Sequence, residues 1–423
     1  MPESASILKR ELGVFGATLM GLGSILGTGV FVSIGIAAGI SGPAVILAIA
    51  LAAMVAVANG LSSAQLAANH PVSGGTYEYG HRYLTPELGF VAGWMFLLAK
   101  SASAATAALG FSGYVLNASG GEGVSVPLAL AAVAGLTAVV LGGLRRSNIA
   151  NIAIVSITLL SLSVFILSGL PVALSAAGSD RLTPFFPVEN PVAALLQGTA
   201  LMFVAYTGYG RIATLGEEVR EPRRTIPRAI IVTMSVTMVL YVGVAWVAVA
   251  TAGAAGLGVA PLEVASRAFG VPGLPQLVAL GAIAAMLGVL LNLILGLSRV
   301  LLAMGRRGDM PARVGRLNAS GTTPTAAVVV MGTTIALLVL IGNLKITWSL
   351  SAFNVLIYYG ITNWAALRLS PEERLYPRWI AGVGLAACFF LAFWVEWRIW
   401  VAGVLAIAIG ALWRAIVRSR GRS

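Results

Sequence analysis

From residue 14 to residue 417 the chain is a succession of predominantly apolar stretches, each about as long as a membrane crossing, joined by short polar links. A helix rises 1.5 Å per residue, so about 20 apolar residues cross a hydrocarbon core of roughly 30 Å. Read on that scale, the sequence predicts helices at roughly 14–39, 43–68, 89–117, 126–143, 148–170, 191–213, 229–252, 275–304, 324–341, 344–367, 377–395 and 397–417, twelve in all. The short alternating segments of a membrane barrel are missing. Of the 423 residues, 58% are hydrophobic and 10% charged, with a mean hydropathy of +0.92, too little polar surface to coat a water-soluble body. The expected class is an all-α polytopic membrane protein.

The charge is lopsided, with 27 Lys and Arg against 15 Asp and Glu. Its placement matters more than its size. Under the twelve-helix reading, Arg181, Arg267, Lys345 and Arg398 fall in links on one side, while Lys100, Arg211 and Arg299 lie inside helical segments. Every other basic residue falls on the opposite side, with both termini. The positive-inside rule then places the termini in the cytoplasm and the chain in the plasma (inner) membrane. Anionic lipid, not nucleic acid, is the expected partner of this charge. Lys9 and Arg10 before an apolar run have the form of a signal sequence, but the run continues as a full span and reads as a retained first helix.

Enzymatic chemistry lacks materials. His70 and His81 are the two histidines, both in or beside the second link, and Cys388 is the single cysteine. A metal cluster, a Ser-His-Asp arrangement and a disulfide framework therefore cannot be assembled. Carboxylates are scarce in the spans. The "HRYLT" stretch at 81–85 reads as part of a short amphipathic link helix, and Trp394, Trp397, Trp400 and Trp413 as an interfacial belt.

Two segments break the apolar pattern from within. "GLGSILGTGVF" at 21–31 holds four glycines, and "FVAYTGYGR" at 203–211 places Gly208 and Gly210 among Thr207, two tyrosines and an arginine. Interior glycine weakens a helix by roughly 1 kcal/mol relative to alanine. Backbone that leaves the helix at membrane depth is tolerated only where it is buried in protein or lines a cavity. Close helix packing through the small-residue pairs Gly23/Gly27 and Gly35/Gly39 is the competing explanation. Two such segments, five helices apart, instead suggest an inverted five-plus-five repeat with a ligand held between the breaks. Free amides at one side of a break suit a carboxylate, and free carbonyls at the other suit an ammonium. Together these are the constant part of an amino acid.

These residues resemble a known family. "GSILGTGVF", "FVAYTGYG" followed by "EEVREPRRTIPRAI", "PVSGGTYEYGHRYLTPELGFVAGW" at 71–94 and "SRVLLAMGRRGDMP" at 298–311 are similar to the signatures of the amino acid, polyamine and organocation (APC) superfamily. The resemblance implies the fold of the bacterial leucine transporter. Its inverted halves would be 1–170 (helices 1–5) and 171–369 (helices 6–10), with 370–423 adding helices 11 and 12 and a cytoplasmic tail. It also implies that the amides of Thr28 and Gly29 receive a carboxylate and that the carbonyls of Ile25, Val204 and Thr207 receive the ammonium. Ser24, Gly27 and Gly208 would shape the breaks.

The chain departs from the family at instructive places. The aromatic that many members set directly before the Ala-Tyr of helix six is replaced by Val204, with Phe203 one position earlier as gate candidate. Gly210 and Arg211 stand where readers of cationic side chains often carry an acid, which disfavours lysine and arginine as substrates. The fifth-helix lysine of proton-coupled relatives is missing, with Thr158 in the matching register. Either a cation held by helix-one carbonyls and Ser298 replaces it, or no such ion is used. Lys100 falls near mid-membrane without an acid at matching depth, so it either snorkels to an interface or takes up and releases a proton. The expected function is ion-coupled transport of amino acids, neutral ones favoured, with no cofactor beyond sodium or a proton. An amino acid or polyamine exchanger or facilitator is the alternative within transport, and a channel or transport-like sensor the alternative outside it. Nothing in the sequence names a partner subunit.

Overall fold

The computed structural model describes residues 12–70, 74–143, 148–213, 219–319 and 321–420. The first apolar segment is not one rod. Helix α1 (Val14–Ile25) ends where Leu26 turns extended, a π-helical turn occupies Gly29–Ser33, and α2 (Ile34–Ser41) follows. Gly42, at φ +62°, and Pro43 then lead into α3 (Val45–Asn69). That φ lies in the left-handed region, where a Cβ is strained. From Gly29 to Asn69 the apolar helical run is 41 residues. At 1.5 Å per residue it would extend about 60 Å, twice a bilayer core, so the turn at Gly42 divides two separate arms.

A link helix α4 (Thr76–Tyr83) precedes α5 (Pro86–Ala118), which opens on Pro86 in its first turn and has Thr85 Oγ1 capping the N–H of Leu88. The link helix thus starts earlier than "HRYLT" and stops before Leu84. Next come α6 (Val126–Leu141), α7 (Asn148–Ala173), the short α8 (Ala176–Arg181) and α9 (Pro191–Tyr206). A 3₁₀ turn over Thr207–Tyr209 joins α9 to α10 (Gly210–Ala213). The chain continues through α11 (Pro222–Ala252), short α12 (Pro261–Ser266), α13 (Leu274–Arg306), α14 (Thr325–Val339), α15 (Leu344–Leu367), α16 (Arg378–Ala392) and α17 (Trp397–Arg420). No strand occurs among the described residues, only an isolated bridge between Leu12 and Val219.

The twelve expected segments are helical, and one of them starts well before its expected residue. Helix α11 starts at Pro222, where expectation put its start at 229, because proline is well suited to a first turn and the basic residues after it continue the helix beyond its apolar part. Among the described residues, seven apolar helical runs are long enough to cross a membrane by length and composition, the run from Gly29 to Asn69 counted as one, and shorter apolar helices accompany them. The 24-residue α15 is not among those seven. It carries Asn354, Tyr358, Tyr359, Thr362 and Asn363, all buried. A helix enclosed by protein on every side need not be apolar, since its polar groups find partners there. Helices α13 and α15 both pack along α5, and α3 packs along α9 and α11.

Candidate functional site

The break after α1 and the turn after α9 face each other across a small internal cavity. Its lining comprises Ser24, Ile25, Thr28, Gly29, Lys100, Ser103, Val204, Ala205, Thr207, Gly208, Val289, Leu293 and Trp348. Leu26, at ψ 106°, opens the first break, and the N–H groups of Val30 and Phe31 both return to the Gly27 carbonyl. The next helical turn therefore begins at Thr28 and Gly29, and the first N–H groups of any helix lack intrahelical acceptors. The Thr28 hydroxyl is buried without a hydrogen-bond partner among the described residues. Gly208 makes the approach of the two segments possible, because its missing Cβ would lie 2.5 Å from the Ser24 carbonyl carbon and 2.6 Å from Ile25 Cγ1.

The second segment tightens where the first one opens. Thr207–Tyr209 form a 3₁₀ turn, so the expected interruption of helix six is a change of winding that still releases carbonyls from the α-helical ladder. Those carbonyls are occupied. Thr207 Oγ1 donates to Val204 O at 2.8 Å, Tyr359 OH to Thr207 O at 3.1 Å, and Tyr241 OH to Ile25 O at 2.9 Å. Val204 O also accepts from the Thr207 N–H and Thr207 O from the Gly210 N–H, so of the three carbonyls Ile25 O is the one with a lone pair left beside these bonds. Tyr241 also reaches Ala205 O at 3.4 Å and thus ties the two segments together.

Lys100 enters from α5 and is buried. Its ammonium donates to Thr207 Oγ1 at 2.7 Å and so lies at the cavity, not at an interface. From α15, Trp348 is held by its indole N–H, 3.0 Å from Leu201 O, while Ser103 of α5 pairs with Ser351 of α15 at 2.7 Å. The cavity measures about 50 Å³. A cavity of about 150 Å³ holds a six-carbon ring, so the space here admits a few water molecules, and an amino acid requires the walls to separate.

Of the candidates read from sequence, Ser24, Ile25, Thr28, Gly29, Val204, Thr207, Gly208 and Lys100 line the cavity. Gly27 packs against Val289 behind it. Phe203 is buried edge-on against Tyr359, ring centroids 5.8 Å apart, and is not part of the lining. Thr158 and Ser298 bond back to their own helices, to Ile154 O at 2.8 Å and Leu295 O at 3.0 Å, and also lie outside the lining. The α7 side chains against the first segment at Gly23 are Asn151 and Val155, with both of which a Cβ there would collide. Sequence reasoning missed Ser103, Ala205, Val289, Leu293 and Trp348, together with Tyr241 and Tyr359. Apolar and aromatic residues inside apolar helices carry no local mark of facing a cavity.

A second polar cluster sits at the end of the bundle near α4. Asp309 accepts from Tyr77 OH at 2.8 Å, with His81 Nε2 at 3.5 Å and Arg414 Nε at 3.4 Å, and Arg414 also approaches Glu87 at 3.5 Å. Arg307 pairs with Glu78 beside it. Burial pushes the Asp309 carboxyl upward, but the hydrogen bonds from His81 and Tyr77 and the Arg414 guanidinium outweigh it and hold the group below its ordinary value. Glu217 and Glu218, which follow Arg211 in the chain, fall outside the described residues, while Glu221 pairs with Arg224 at 3.4 Å. No group of three metal-capable side chains occurs among the described residues.

Comparison with known proteins matches this architecture to a family. The amino acid permease family profile covers residues 16–422. An uncharacterised transporter of Mycobacterium tuberculosis is 39% identical over 405 residues, 95% of this chain and 90% of that one. A branched-chain amino acid permease of Bacillus subtilis is 28% identical over 433 residues, covering 95% and 92% of the two chains. A methylthioribose transporter of the same organism is 29% identical over 336 residues, covering 75% and 72%. The chain therefore belongs to the amino acid permease family of the APC superfamily, and is a multi-pass membrane transporter, not an enzyme.

Proposed function

We propose that this protein is a secondary active transporter of amino acids, neutral ones favoured, that works by alternating access in the plasma (inner) membrane. One observation carries the reading: the two interrupted segments meet at a cavity that combines a helix N-terminus with main-chain carbonyls. In this reading the chain crosses the membrane twelve times with both termini cytoplasmic, in inverted halves 1–170 and 171–369 followed by the two helices of 370–423. The Thr28 and Gly29 amides and the Thr28 hydroxyl receive the carboxylate. Ile25 O receives the ammonium through its remaining lone pair, and Val204 O and Thr207 O join it by exchanging their present hydrogen bonds as the walls separate, while Ser24, Gly27 and Gly208 let the segments approach, with Phe203 behind them. The absence of an acid from the described lining argues against cationic side chains, and the branched-chain permease relative supports neutral ones.

Lys100 is the better candidate for coupling, since it lines the cavity while Thr158 and Ser298 do not. A proton is then the coupling ion, and a sodium ion at Thr158 and Ser298 the competing reading. Uptake of labelled amino acids into proteoliposomes tests the proposal under a pH gradient, a sodium gradient and preloaded substrate. Saturable uptake stimulated by the pH gradient is expected. Stimulation by sodium alone transfers coupling to the second site, and dependence on preloading alone makes the protein an exchanger. Conductance without saturation, or binding without movement, removes the transporter mechanism.

A further inference from the structure

Lys100 is the single charged side chain among the described residues that line the cavity. It forms no ion pair with any described carboxylate, and its one hydrogen bond runs to the neutral Thr207 hydroxyl. The titratable groups nearest the same breaks are Tyr359 and Tyr241, whose hydroxyls donate to Thr207 O and Ile25 O. The segments of α13 and α15 that face Lys100 contribute Val289, Leu293 and Trp348, none of them ionisable. Arg211 and Arg299 lie further along α10 and α13, outside the lining, and Glu217 and Glu218 fall outside the described residues. A buried ammonium with no partner charge is unfavourable unless a negative charge joins it.

A zwitterionic amino acid brings no net charge, whereas an amino acid with a carboxylate side chain brings one negative charge. We infer that the site holds the sum of the Lys100 charge and the substrate charge at zero, so that it accepts acidic amino acids with Lys100 protonated and neutral ones with Lys100 deprotonated. This rests on the transport reading above and extends its substrate class. For a neutral substrate the balance is simple: the Lys100 Nζ–H bond breaks as the substrate ammonium enters, and the proton passes to water on the open side. For an acidic substrate no proton leaves, and the side-chain carboxylate takes the two ammonium hydrogens that Thr207 does not use.

The two classes then respond to pH in opposite directions. Equilibrium binding of L-alanine and L-glutamate to the purified full chain is measured across the pH range in which both free ligands keep a constant charge. Alanine should tighten and glutamate should weaken as pH rises through the titration of Lys100, by up to about tenfold per unit for one linked proton. In Lys100→Met, fixed neutral, both slopes should vanish and the preference should turn toward alanine by at least about tenfold. The opposed slopes in the unsubstituted protein are a test that needs no variant. Parallel slopes, pH-independent binding of both ligands, alanine binding without glutamate binding, or a Lys100→Met protein that keeps the parent's preference would each overturn the inference and leave amino acid transport standing. Failure to bind or transport any amino acid would remove both.

Discussion

Replacing Gly208 with alanine places one carbon where the two interrupted segments meet. The new Cβ would lie 2.5 Å from the Ser24 carbonyl carbon and 2.6 Å from Ile25 Cγ1, whereas carbon atoms rest about 3.5–4.0 Å apart. The segments must therefore separate by about 1 Å, and the obstacle is backbone that cannot rotate away. Overpacking of this kind costs about 1–3 kcal/mol, here toward the upper end. The same substitution at Gly135 in α6 meets no atom within 4 Å and should gain up to about 0.5–1 kcal/mol from helix propensity. The pair is read by thermal unfolding of the purified protein and by initial rates of amino acid uptake. Gly208→Ala should lower the unfolding temperature and abolish uptake, while Gly135→Ala should preserve both. A Gly208→Ala protein that unfolds and transports like the parent would refute close approach of the two segments as the basis of the site.

Tyr241→Phe removes the hydroxyl that bonds Ile25 O and reaches Ala205 O; leaving the first carbonyl unsatisfied should cost about 1–3 kcal/mol, seen as lower thermal stability and a reduced uptake rate. Trp348→Phe frees the ring from Leu201 O and should shift competition for uptake toward larger neutral side chains, against a stability loss of similar size. Asp309→Asn removes the charge that His81, Tyr77 and Arg414 share and should destabilise the protein by about 2–3 kcal/mol. Because the folded Asp309 carboxyl sits below its ordinary value, its contribution is complete above the ordinary carboxylate pKa and is lost as pH falls through the lowered one. Acid unfolding followed in parent and Asp309→Asn should therefore converge only at the most acidic pH, and parallel curves down to that limit would contradict this assignment.

The all-helical class and the positions of the apolar helices were legible because lipid imposes them locally: apolar runs at 14–39 and at 397–417 declare themselves without reference to any neighbour. The two interruptions were legible for the same reason, since glycine at 27 or 208 weakens a helix wherever that helix lies. Helix α15 shows where local reading falls short: its polar residues are explained only by the surrounding helices that bury them. The cavity wall was likewise hidden. Val289, Leu293 and Trp348 look like any other apolar positions, and that Thr158 and Ser298 lie outside the cavity lining is visible only in three dimensions.

What the sequence by itself determined is the solvent, the helical class and the pair of weakened spans, all properties of a segment and its immediate neighbours along the chain. Tertiary structure alone decided that Lys100 reaches Thr207, that tyrosines from α11 and α15 satisfy the released carbonyls, and that Gly208 sits against Ser24. Those relations join residues more than a hundred positions apart, and only packing brings such groups within hydrogen-bond distance.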